Sequence, residues 1–159
     1  MTGKRTPPSL QSTALRMLAT REHSRQELRR KLLSRSEEDG EGAAEVVEAV
    51  LDRLAGNGLQ SDTRFAESYV RSKAARMGQA RLRRELLERG VSTEIVAEAL
   101  EEALPGDELS RARAVWVKKF GTPPQDRNEW ARQARFLQTR GFAVDVIRKL
   151  LKEPFDESA

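Results

Sequence analysis

Cysteine is absent from this 159-residue chain, which excludes disulfides, thiolate metal sites and cysteine nucleophiles. Histidine occurs once, at His23, so acid–base or nucleophilic chemistry has no second imidazole to build a constellation with. A single histidine among arginines is an equally poor metal site. Gly-rich phosphate loops are missing, and no segment alternates like a half-buried strand over a useful length. Aromatic residues make up only 5%, so shallow layers of Leu, Val and Ala between helices are expected in place of one deep core. No stretch approaches the ~20 apolar residues of a membrane span. The basic opening MTGKRTPPSLQ has no apolar run behind it and does not read as a secretory signal. These absences lead us to expect a soluble, cytoplasmic protein without catalytic residues, cofactor or metal.

Charge is what the chain has in excess. Charged residues make up 34%, against roughly 25% in an average soluble protein. The net charge of +4 hides blocks of alternating sign. Residues 1–35 carry +7, 36–60 carry −6, 61–90 carry +4, 91–110 carry −6, 111–152 carry +8 and 153–159 carry −3. Such alternation predicts a fold with opposite faces of opposite sign, one of them suited to a polyanion. Of 29 basic residues 22 are Arg. This fits either a GC-rich genome or recognition of phosphate and carboxylate by the planar guanidinium.

Helical periodicity fills the chain. A first helix is predicted over Leu10–Thr20, with Leu15 and Leu18 apolar. In REHSRQELRRKLL (21–33), Ser24 and Glu27 form a capping box that opens a second helix, with Leu28, Leu32 and Leu33 as its stripe. His23 precedes the cap and reads as a packing residue at the helix entry. The third helix covers Ala43–Leu54, with Val46, Val47, Val50, Leu51 and Leu54 inward, and is closed by AGNG at 55–58. Helices four, five and six follow over 61–77, 78–90 and 91–104, the last stopped by Pro105-Gly106.

The pattern repeats. ELRRKLLSR (27–35) matches RLRRELLER (81–89), and EVVEAVL (45–51) matches EIVAEAL (94–100). RGFAVDVIRKLL (140–151) matches RGVSTEIVAEAL (89–100), with ARQARFLQTRG before it fitting after a one-residue slip. The fold class is therefore all-α: three tandem three-helix repeats at 10–58, 59–105 and 106–152, in an elongated helical array. Residues 1–9 and the acidic 153–159 are expected to be frayed tails, and GTPPQDRN (121–128) a mobile loop.

At about 100° per residue, Arg29 falls inside the arc of Leu28, Leu32 and Leu33, while Arg30 points out. Arg83 and Arg84 repeat that pair, so Arg29 and Arg83 are expected to be packed or paired. In the fourth helix Phe65, Tyr69 and Val70 mark the buried side. Arg64 and Arg71 share the outer face with Glu67, which can pair with Arg71. Trp116, Phe120, Phe136 and Phe142 read as core, and Trp130, beside the loop, as a candidate base-stacking residue.

LATREHSRQELRRKL (18–32), SDTRFAESYVRS (61–72) and RFLQTRGFAVDVI (135–147) together resemble the RecX family, regulatory proteins of the RecA recombinase. The resemblance covers about 14–151, with the three signatures in order. It carries onto Arg21, Glu22, His23, Ser24, Glu27, Leu28, Lys31 and Leu32, then Asp62, Arg64, Phe65, Ala66, Tyr69 and Arg71, then Phe136, Leu137, Arg140, Gly141, Phe142, Asp145 and Ile147. It implies an elongated, curved all-α molecule in the groove of the RecA–single-stranded DNA filament, inhibiting strand exchange, ATPase and coprotease functions. Recombinational repair and the SOS response would be modulated in consequence, with no catalytic residue or cofactor. Two departures stand out: Ser36, followed by EEDGEG, where glycine commonly ends the second helix, and a single glycine in MGQAR (77–81).

The candidate contacts with DNA or protein are Arg25, Arg30, Lys31, Arg35, Arg64, Arg71, Lys73, Arg76, Arg81, Arg84, Arg132 and Arg135. The expected partners are the RecA filament and single-stranded DNA, with double-stranded DNA in second place, and a monomer is the default. Two other readings stay open: a direct DNA-binding protein that works without RecA, and a helical scaffold for an acidic protein.

Overall fold

A computed structural model describes residues 9–36 and 41–152, with only the backbone at Glu41. The expectations for the two tails and the acidic spacer fall outside the described residues at 1–8, 37–40 and 153–159. Among the described residues there are nine helices and no strand. They are α1 (Leu10–Thr20), α2 (Arg25–Arg35), α3 (Glu41–Gly56), α4 (Asp62–Lys73), α5 (Gln79–Glu88), α6 (Thr93–Ala103), α7 (Glu108–Lys119), α8 (Arg127–Thr139) and α9 (Val144–Leu151). Short polar side chains set most of the starts. Ser9, Ser24, Ser61, Ser92, Asp107 and Asp126 each accept a backbone N–H from three residues on. The Ser24–Glu27 capping box is present in both directions.

Each successive trio of helices surrounds its own small core. Leu28, Leu32, Val47 and Leu51 anchor the first, Phe65, Val70, Leu82 and Leu86 the second, and Leu137, Phe142 and Ile147 the third. The apolar arc of the second helices is narrower than the sequence suggested. Leu28, Leu32, Leu82 and Leu86 are fully buried, whereas Leu33 and Leu87 are about 40% exposed. Val46, expected inward, also faces solvent, as does Leu15.

The third repeat needs no slip. At a constant offset of 51, Gln133, Leu137 and Gly141 fall on Leu82, Leu86 and Gly90. Gln133, Leu137, Leu82 and Leu86 are all buried, and both glycines have positive φ, +82° at Gly90 and +96° at Gly141. A polar residue takes the leucine's place because it is satisfied there. Gln133 accepts from Trp116 Nε1 at 2.8 Å and donates to the Thr122 carbonyl at 3.1 Å. That bond, and one from Gln125 N–H to Glu129 at 2.7 Å, tie down the 121–128 segment expected to be a mobile loop.

The repeats join through backbone. After α5 and α8 the chain turns through Gly90 and Gly141 in the Schellman pattern, Val91 N–H to Leu86 carbonyl and Phe142 N–H to Leu137 carbonyl, both 3.1 Å. Each turn leaves a capping carbonyl without a partner in its own helix. The preceding repeat supplies one. Ser24 Oγ donates to the Arg89 carbonyl at 2.8 Å, and Gly78 N–H donates to the Arg140 carbonyl at 2.7 Å. Ser24 and Gly78 are themselves equivalent N-caps, of α2 and α5. Ser36 occupies the position equivalent to Gly90 and is extended, with φ −73°.

Side chains lock both joints. At the first, Arg25 N–H donates to Asp62 at 2.9 Å, Gln60 Nε2 to the His23 carbonyl at 3.3 Å, and Arg64 pairs with Glu22 at 3.0 Å. At the second, Ala80 N–H donates to the Gly141 carbonyl at 3.3 Å and Gln79 N–H to Glu108 at 3.0 Å. Within the second repeat, the Tyr69 hydroxyl donates to Glu85 and ties α4 to α5. Burial first, and the Glu85 carboxylate second, push the Tyr69 phenol up to about 12.

Two outcomes follow from this packing. A Cβ at Gly78 would overlap the Gly141 carbonyl and come within 2.6 Å of Phe142 N. Gly78→Ala should therefore cost about 1–3 kcal/mol in chemical denaturation through overpacking. Gly56→Ala, with nothing within 4 Å, should be stabilising by about 0.4–1 kcal/mol; equal effects of the two would contradict the backbone joint. Tyr69 is the chain's single tyrosine, so phenolate absorbance reports it alone. The absorbance should stay flat through pH 10 and rise near about 12. Because the folded value is raised, the stability held by the neutral phenol is present below the unfolded pKa of about 10 and is lost as pH rises through the folded value. Tyr69→Phe should flatten that alkaline loss.

Candidate nucleic-acid interface

The twelve candidate cations divide into those spent inside the protein and those left on its surface. Arg25 is spent: it pairs with Glu48 at 2.8 Å and Asp52 at 2.6 Å on α3. Arg29 also pairs with Glu48, as expected of it. These two guanidiniums, Arg29 first, hold the Glu48 carboxyl down to about 2. The acidic third helix of the first repeat thus faces its own second helix. Arg64 bridges the first joint to Glu22. Arg71 makes the expected pair with Glu67 at 3.3 Å. Arg81 pairs with Glu85 at 3.3 Å and reaches the Thr139 carbonyl at 3.4 Å across the second joint. Arg84 is more loosely held, 4.0 Å from Glu88 and largely exposed.

The others carry no ion pair among the described residues. Arg30, Arg76 and Arg135 are exposed, and Arg35 bonds only to the Lys31 carbonyl at 3.3 Å. Lys73 lies 5.8 Å from the centre of the Tyr69 ring and Arg132 5.9 Å from that of Phe120. Lys31 reaches His23 Nε2 at 3.2 Å. Because His23 Nδ1 faces the Arg21 carbonyl at 3.0 Å, Nδ1 carries the proton and Nε2 accepts. Burial and the nearby Arg21 and Lys31 charges hold the imidazole below its usual value, against the Arg21 carbonyl bond and Glu27. His23 is 2% exposed, a packed residue of the first joint. Arg83, expected to pack like Arg29, is exposed instead and has no ion pair among the described residues, since α6 offers no carboxylate in the place of Glu48.

Surface cations gather where repeats meet. At the first joint Arg30, Lys31 and Ser34 of α2 face Arg89 across a cleft of about 550 Å³, shared with Glu27 and Glu88. At the second joint Arg76, Lys118, Lys119 and Arg140 surround a cleft of about 270 Å³ floored by Phe136, with Ala75 and Val115 completing it. Three of those four cations were not among the sequence candidates. The Lys118-Lys119 pair was visible as charge density, and Arg140 lies in RFLQTRGF, but nothing local showed that α4, α7 and α8 converge. Trp130 takes no part: it packs against the third core, and its indole Nε1 is buried without a partner.

Among the described residues, no group of three or more His, Cys, Asp or Glu is placed to hold a metal ion. No described helix is long and apolar enough to cross a membrane. The arrangement offers charge, hydrogen-bond donors and one half-buried aromatic ring, which together suit a phosphate-bearing chain.

Comparison with known proteins gives this architecture a family. Residues 61–100 match the second three-helix domain of RecX and 106–151 the third. The regulatory protein RecX of Leptothrix cholodnii is 45% identical over 152 residues, 96% of this chain and 93% of the relative. That of Ralstonia nicotianae is 44% identical, over 93% of this chain and 89% of the relative. A crystal structure of regulatory protein RecX superposes with a TM-score of 0.74 at 24% identity, covering 90% of this chain and 71% of the other. RecX from Lactobacillus salivarius gives 0.70 at 22%, covering 91% and 93%. The fold is shared with both structures, and the relatives match along nearly the whole length: the chain belongs to the RecX family.

Proposed function

We propose that this protein is a negative modulator of the RecA recombinase. It docks in the groove of the RecA–single-stranded DNA filament and restrains strand exchange, ATPase and coprotease activity in the cytoplasm, as a monomer and without a cofactor. In this reading the segments 10–58, 59–105 and 106–152 each lay one basic face on the filament.

The observation that carries the reading is an arginine that returns in every repeat. Arg30, Arg84 and Arg135 stand at equivalent points of α2, α5 and α8, two residues after buried Leu28, Leu82 and Gln133, and all three are exposed. A helical filament repeats its own surface from protomer to protomer. A rigid ligand that repeats one cation in tandem can meet neighbouring protomers, or successive phosphates, in the same way each time. Family membership supports the choice of partner. Two acids of α3, Glu48 and Asp52, are occupied by Arg25 and Arg29, so these two do not cancel this face.

RecA ATPase on single-stranded DNA, titrated with the protein, tests the proposal. Wild type should suppress turnover at substoichiometric to equimolar ratios. Arg30→Glu/Arg84→Glu, its fold checked by circular dichroism, should need roughly tenfold more protein for the same effect, as reversed contact charges do. Unchanged turnover with wild type, alongside tight and steeply salt-dependent binding to naked DNA, would make it a direct DNA-binding protein instead.

A further inference from the structure

The cleft at the second joint differs from every other charged surface described here. Arg76 comes from the turn after α4, Lys118 and Lys119 from the end of α7, and Arg140 from the C-cap of α8; no carboxylate lines it. None of these four makes an ion pair among the described residues, whereas the first-joint cleft holds Glu27 and Glu88 beside its cations. Holding four like charges together costs free energy that no internal partner offsets. Phe136 forms the floor, half-buried, with Arg140 5.0 Å and Lys119 5.6 Å from its ring centre and Phe120 edge-on at 5.4 Å. Phe136 sits at the position of Glu85 in the second repeat, where the carboxylate holds Tyr69 and Arg81. The third repeat has replaced an internal anchor with an aromatic surface.

We propose that this cleft is a binding site for single-stranded DNA, holding phosphates on Arg76, Lys118, Lys119 and Arg140 and one base against Phe136. Cations that track a backbone beside an aromatic platform are the recurring means of holding a single strand. The volume of about 270 Å³ takes a phosphate, a sugar and part of a base, which a duplex with stacked, paired bases does not offer. An acidic protein segment would satisfy the charges but leave the ring without a planar partner. The site deepens the reading above by naming where the DNA strand lies, and rests on that reading for its biological setting alone.

Anisotropy of a fluorescein-labelled oligo(dT) mixed with the full chain tests it. Lys118→Glu/Lys119→Glu should weaken binding by about tenfold or more at low salt and make the salt dependence shallower. Both lysines are exposed and without ion pairs, so folding should survive; Lys118→Gln/Lys119→Gln should show the same direction with a smaller loss. Phe136→Leu should weaken oligo(dT) severalfold while leaving inorganic polyphosphate, used as a competitor, unaffected. Arg113→Glu/Lys149→Glu, a matched charge reversal at two exposed residues outside the cleft, should weaken oligo(dT) binding by no more than about twofold. The proposal is overturned if the lysine variants bind oligo(dT) like wild type, if Arg113→Glu/Lys149→Glu loses as much as they do, or if polyglutamate displaces oligo(dT) as well as polyphosphate does. The RecA ATPase titration runs beside it. Suppression by wild type with unaltered oligo(dT) binding by the lysine variants sinks the cleft and spares the recombinase reading. A lysine-dependent loss of oligo(dT) binding without ATPase suppression upholds the cleft and sinks that reading.

Discussion

The molecule depends on a single kind of contact: a glycine turn at the end of one repeat's second helix, set against the N-cap of the second helix before it. Helix ends leave carbonyls without partners, and in a short three-helix unit there is little protein to bury them against. Here the capping carbonyls of Arg89 and Arg140 are answered by Ser24 and Gly78. The second joint brings main chain so close that side chains are excluded at Gly78 and Gly141, and at the first a Cβ on Gly90 would overlap the Gln26 side chain. The contact recurs at equivalent positions, through the Ser24 hydroxyl at the first joint and the Gly78 N–H at the second.

That constraint also shapes the electrostatics. Docking brings the start of one second helix against the end of the next, which crowds basic residues into the joints. The chain handles the two crowds differently. At the first joint, carboxylates from Glu22, Glu27 and Glu88 sit among the arginines. At the second, Glu85 serves Tyr69 and Arg81 and Glu108 serves Arg111 and the Gln79 N–H, leaving Arg76, Lys118, Lys119 and Arg140 without a counter-charge.

Much of the site was legible residue by residue. The wheel placed Arg30 and Arg84 outside and Arg29 inside the apolar arc, and the i,i+4 rule gave Glu67–Arg71. Arg83 went astray because its twin, Arg29, owes its position to Glu48, and α6 has no matching acid. Arg25 and Arg64 looked free because their partners, Asp52 and Glu22, lie 27 and 42 residues away. Lys118, Lys119 and Arg140 were passed over for the same reason in reverse: their significance comes from a meeting of three helix ends that no local window contains.

The sequence alone determined the all-α class, the Ser24–Glu27 capping box and the three tandem three-helix repeats, since periodicity and capping act within a few residues of one another. It did not determine that Gly78 and Gly141 must touch, that Gln133 replaces a core leucine, or that Phe136 floors a basic cleft. Those were decided by packing between segments distant along the chain, where the identity of a neighbour rather than the residue itself sets whether a charge is spent or exposed.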